Sequence, residues 1–156
     1  MSTLKAGLMG LMLAIAAVSA VPWVIAHEGA TRVTKERMDL MKGMADSMKI
    51  MGAMFKGEAV FDPAVIAEQA GFLAEHASQI PTTTPEGSYQ HPSEALPVIW
   101  QAWDDYVADA NALKDESTKL EAIANNGADQ TSARDQFAKL SKTCGACHDR
   151  FRKPKG

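Results

Sequence analysis

Six methionines, Met38, Met41, Met44, Met48, Met51 and Met54, follow one another at spacings of 3, 3, 4, 3 and 3. An α-helix gathers such spacings onto one side, whereas a strand, with its two-residue period, scatters them over both faces. At about 100° per residue, Met41 and Met48 nearly coincide, and Arg37, Met44 and Phe55 lie within about 60° of Met41. Lys35, Asp39, Lys42, Asp46 and Lys49 occupy the opposite arc. Met38 falls at the margin of that charged arc, while Met41, Met44 and Met48 face inward. This helix is expected from about Ala30 to Lys56, with Gly57 just beyond its end as a C′ glycine.

Three more stretches carry the same periodicity, and beyond the first 26 residues no apolar alternation of useful length has the period of a strand. Asp62-Pro63 reads as a cap followed by proline at the first helical position, opening a helix that stops at Ile80-Pro81. The segment Pro81–Pro92 is dense in breakers. A third helix is expected from Ser93, or from Pro97 as its first residue, to Asn125-Asn126-Gly127, and a fourth from near Asp129 to about Lys153, before Pro154. Four amphipathic helices with mostly short connections predict an all-α fold, an antiparallel four-helix bundle. The formal net charge of −3 lacks the basic bias of nucleic-acid binders, and two cysteines are too few for a disulfide scaffold. Charge is unevenly spread all the same. Acidic residues dominate from Glu94 to Asp129, which reads as a solvated face. Basic ones dominate from Lys142 to Lys155, a candidate surface for steering an acidic partner.

The first 26 residues read as an address. Lys5 is followed by an uncharged run from Ala6 to Ala26, and small residues precede His27-Glu28 as a signal peptidase requires. The alternative is an uncleaved anchor, since the run is long enough to span a bilayer. Either reading places the domain of residues 27–156 outside the cytoplasm, in the periplasm of a bacterium, and membrane association follows only if the segment is retained.

Cys144-Gly145-Ala146-Cys147-His148 is C-x-x-C-H, the pattern of covalent c-type haem attachment. Positions three apart share a helix face, so both thiols can reach the two vinyl groups on one edge of a porphyrin. His148 follows directly and can turn a ring nitrogen onto the iron. Gly145 and Ala146 are small enough to let the ring lie close to the backbone. A zinc site lacks a fourth ligand, and a thioredoxin-type pair lacks its strand–helix context. A disulfide within one helical turn leaves His148 unexplained. One haem c, held by Cys144 and Cys147, is therefore expected.

An all-helical chain of this size with C-x-x-C-H close to its C-terminus resembles the cytochrome c′ family, a group of four-helix bundles. The likeness covers residues 27–156. In mitochondrial-type cytochromes c the motif lies near the N-terminus and an axial methionine far downstream; here no methionine follows Met54. In the family an aromatic and a basic residue usually follow the motif, as in His148-Asp149-Arg150-Phe151-Arg152. Its first helix usually carries an arginine and, four residues on, the side chain facing the open side of the iron, here Arg37 and Met41. Gas-binding, high-spin members have a non-ligand at that place, whereas low-spin members of the c-556 type have a methionine that binds iron. The resemblance thus implies His148 and Met41 as axial ligands. The stripe by itself does not choose among its inward members, Met44 included, and a methionine stripe is also what flexible core packing produces.

Arg37, one turn before Met41 on a largely apolar face, needs a partner if buried. A haem propionate would serve; otherwise its stem packs and its head reaches solvent. Arg152, four residues after His148, could approach the proximal side of the haem or pair with Asp149 or a neighbouring helix. Of the other histidines, His27 falls at the expected mature N-terminus, His91 in a loop and His76 on a helix. Trp100, Trp103 and Tyr106 read as core or dimer-interface residues.

No nucleophile motif, no paired carboxylates at a cleft and no phosphate-binding glycine loop indicate an enzyme. The function expected is single-electron transport by an exported mono-haem cytochrome exchanging electrons with another redox protein. The alternative is a five-coordinate protein binding nitric oxide or carbon monoxide, and a haemless helical interaction domain is the third. Homodimers occur in the resembling family, commonly through the first two helices, but the apolar positions do not show one.

Overall fold

The computed structural model describes residues 23–127 and 129–154, with side chains from residue 32 onward. Residues 1–22 of the expected address segment and Lys155 of the basic end lie outside that range. The helices are α1 (Trp23–Lys56), α2 (Pro63–Ala77), α3 (Val98–Gln101), α4 (Trp103–Asn125) and α5 (Gln130–Phe151). Four of them form the bundle, and α3 is a single turn leading into α4. No helix among the described residues is long and apolar enough to cross a membrane.

The helix ends are written in local chemistry. α1 closes with a Schellman motif: Gly57 takes φ +78°, its N–H donates to Met54 O at 3.1 Å, and Glu58 N–H donates to Ala53 O at 2.9 Å. The last carbonyls of α1 also receive Gln130 Nε2 and Arg134 from α5, the latter on Phe55 O at 2.6 Å. Gly57→Ala forces a Cβ into the left-handed region, which costs about 1–2 kcal/mol. The expected result is a matching fall in unfolding free energy by urea titration, with the absorption spectrum unchanged.

Asp62 caps α2 by accepting from Ala64 N–H at 2.9 Å, with Pro63 in the first turn, as its sequence indicates. Asp129 caps α5, Oδ1 accepting from Thr131 N–H and Ser132 N–H at 2.8 and 2.9 Å. Those two bonds hold its carboxyl below the usual carboxylate range. A depressed folded-state value means that the contribution is present above the unfolded-state value, about 4, and is lost as pH falls through the folded one. Asp129→Asn keeps an acceptor but no titration. Wild type should therefore be the more stable at pH 7 and lose that margin below pH 4 in thermal unfolding followed by circular dichroism.

The expected third helix is broken. Ala102 adopts φ −128°, ψ 46°, separating α3 from α4, and Pro97 is the cap of α3 rather than its first residue. No proline or glycine marks the break. Its cause is tertiary: Ile99 is buried and Trp100 donates to Thr84 O in the preceding loop, while Tyr106 is drawn into the bundle. α2 packs chiefly on α4, α4 on α5 and α1 on α2. Met51, Ile66, Leu73, Leu120 and Leu140 are fully buried at the centre, each contributing about 1.5–3 kcal/mol by leaving water. α5 ends at Phe151 because Arg152 turns extended and bridges Ala95 of the loop in antiparallel fashion.

Candidate haem site

The last two turns of α5 carry the motif. Cys144 and Cys147 are both free thiols, half-buried against the apolar cluster that also takes in Met41, Met44, Met48, Trp100, Tyr106 and Phe151. His148 is on the exposed side of the helix. Apart from its own turn of helix, nothing lies within 4 Å of where a Cβ on Gly145 would stand.

Burial pushes the Cys144 thiol up. It pushes Cys147 to about 12, with the charge of Asp109 adding to it and Arg150 opposing. Disulfide formation proceeds through the thiolate, the form that these surroundings disfavour at both sulfurs. Asp109 is only 15% exposed and receives Arg150 at 2.5 Å, while Asp105 lies 3.5 Å from the same guanidinium. Arg150 also covers the Phe151 ring at 4.9 Å.

The methionine stripe sorts as its spacing indicates. Met38 is turned out, 45% exposed, Met44 is buried at 6%, and Met41 and Met48 are half-buried on the core. Tyr106, buried on α4, stands between the two halves of the site. Its phenol shares a 3.0 Å hydrogen bond with Thr84 Oγ1, its ring meets Phe151 edge-on at 5.3 Å, and it lies within electrostatic reach of both Cys147 and Arg37. Burial raises its phenol above the ordinary range.

Arg37 is buried at 6%, and its head does not reach solvent. One terminal nitrogen donates to Thr83 O at 2.9 Å and to Ser88 Oγ at 2.8 Å; the other donates to Ser88 O and to Ser93 Oγ at 2.8 Å. All four terminal N–H groups are spent on one loop, an arrangement that neither expectation for this residue included. Arg152 pairs with Glu94 of the same loop rather than with Asp149. With Arg150 and Arg152 both in ion pairs, the basic end retains less charge for steering than its composition implies. Trp103 is 36% exposed and Trp100 half-buried. They border a cleft of about 440 Å³ against Pro81–Glu86 that contains no cysteine, histidine or methionine and is separate from the attachment motif. His76 stacks on Phe72 at 3.8 Å, and its Nδ1 lies 2.8 Å from Phe72 O, a satisfied partner rather than a ligand.

Thr84, Asp109, Ser88 and Ser93 belong to this region without having been site candidates in the sequence, and Tyr106, expected in the core or at an interface, is buried in the core. Breaker density marks the loop as a loop but carries no sign of what clasps it.

The family model for Cytochrome C' matches residues 32–152. The cytochrome c-554 of Cereibacter sphaeroides is 34% identical over 125 residues, 78% of this chain and 80% of the relative. The cytochrome c-556 of Agrobacterium fabrum is 31% identical over 118 residues, 76% and 79% of the two chains. The solved cytochrome c prime from Shewanella frigidimarina superposes with a TM-score of 0.75 at 30% identity, over 80% of this chain and 97% of that one. The chain belongs to the cytochrome c′ family. It is accordingly a c-type cytochrome with one haem c, attached covalently through Cys144 and Cys147. The donor set fits that group: two cysteines one turn apart and not joined in a disulfide, an imidazole on the next residue and free space over Gly145.

Proposed function

We propose that this protein is an exported, periplasmic carrier of single electrons whose haem iron is held between His148 and Met41. The observation that carries the reading is the placement of Met41. Met41 and Met48 are both half-buried against the core on which both attachment cysteines pack; of the two, Met41 lies one turn beyond Arg37, as in the family pattern, while Met38 is turned out. Haem, when bound, supplies one-electron exchange between ferrous and ferric iron. The rest of the work falls to this chain. Cys144 and Cys147 would hold the ring, His148 would supply an imidazole nitrogen and Met41 a thioether, which would favour the ferrous state and keep other molecules off the metal. Met44, Met51 and Phe151 exclude water from the same cluster. Removal of residues 1–26 on export would release the domain, and another redox protein would be its partner.

The test is the absorption and resonance Raman spectrum of the purified holoprotein in both oxidation states. Low-spin spectra in both, unchanged by carbon monoxide, are expected. A high-spin ferrous spectrum that shifts on carbon monoxide or nitric oxide replaces this reading with gas binding and removes Met41 as a ligand.

A further inference from the structure

The loop that occupies Arg37 is fastened to every element around the site. Thr84 Oγ1 bonds Tyr106 of α4, and Thr84 O accepts from Trp100 Nε1 at 3.3 Å. Leu96 N–H donates to Phe151 O at 2.9 Å, Lys153 N–H donates to Glu94 O at 2.8 Å, and Glu94 also takes Arg152. Phe151 lies one turn after His148, and Arg37 lies one turn before Met41. The helix bearing the proximal histidine and the helix bearing the distal methionine are thus each tied, one turn from that residue, to the same short length of chain.

We propose that Arg37 is a positioning residue: by clamping α1 to the 83–93 loop it sets how closely Met41 approaches the open face of the haem carried by α5. The inference rests on Met41 as the residue over that face. A planar guanidinium suits the task, because its fork fixes direction as well as distance. Its four acceptors, two carbonyls and two hydroxyls, leave the helix little freedom to slide. None of them is a carboxylate, so geometry, not ion pairing, is what these bonds enforce.

Three holoprotein variants separate the possibilities: Ser88→Ala with Ser93→Ala, Arg37→Lys, and Met41→Leu. The double serine variant keeps the charge of Arg37 and removes two acceptors; Arg37→Lys keeps the charge and removes the fork. Both should retain covalent haem and helix content, show a mixture of low- and high-spin ferric iron, and have a lower reduction potential. Each tenfold loss of ferrous relative to ferric thioether binding corresponds to about 59 mV. Wild-type spin state and potential in both variants overturn the clamp and leave Arg37 acting through charge alone. Met41→Leu reports on the ligand separately. If wild type is already high-spin and Met41→Leu does not change it, the ligand assignment fails. The clamp is then read from the rate of carbon monoxide binding to ferrous protein. Several-fold faster binding in the double serine variant supports it, and equal rates overturn it.

Discussion

Serine at both Cys144 and Cys147 should give a protein whose haem is fully extracted by acid–acetone, whereas the parent keeps its colour in the protein pellet. The reason is chemical rather than conformational. Both thiols are half-buried on one face of α5 and packed on the core, and serine fills nearly the same space but forms no thioether. Either single variant keeps its haem on one sulfur. In the double variant the group is held only by packing and axial ligation, so its stabilisation of the fold becomes a matter of mass action, RT ln(1 + [haem]/Kd). Thermal stability should then depend on added haem, which it does not when the link is covalent. Retention of haem through acid–acetone in the double variant would contradict attachment at these cysteines.

With Met41 as the proposed ligand, Met41→Leu should replace a low-spin spectrum by a high-spin one and allow stoichiometric binding of carbon monoxide. Leucine and methionine are close in volume, and such swaps cost less than about 1.5 kcal/mol, so the bundle should survive with its helix content unchanged. What is lost is the sulfur. Without a thioether the ferrous state loses its preferred ligand and the potential falls. Met48→Leu, on the same side of the same helix and also half-buried, serves as the control and should leave the spectrum alone. If Met44→Leu, rather than Met41→Leu, produced the high-spin form, the ligand would be the buried neighbour one turn along.

The caps of α2 and α5 and the glycine after α1 are legible in the sequence because each depends on chemistry within about four residues: Asp62 with Pro63, Asp129 with Thr131 and Ser132, and Gly57 with Met54. The attachment motif is legible for the same reason, since one helical turn contains it. The break at Ala102 is not, because it arises from what Trp100 and Tyr106 meet elsewhere. The partners of Arg37 are 46 to 56 residues away, and periodicity, which reports the face a residue occupies, says nothing of what lies opposite. The same limit applies to Asp109: a run of acids reads as a solvated face, and only its encounter with Arg150, 41 residues on, brings it beside a cysteine.

The grading of exposure along the methionine stripe has a chemical consequence. Thioethers are oxidised to sulfoxides, which are polar and poor occupants of a core. Peroxide arriving from solvent meets Met38 before any other member of the stripe between Met38 and Met54, and a sulfoxide there stands outside the core. Met41 is reached only after passing into a half-closed setting, and Met44 and Met51 later still. The half-buried thioether proposed as ligand is thereby preceded on the same helix by a more exposed methionine, one turn nearer to water.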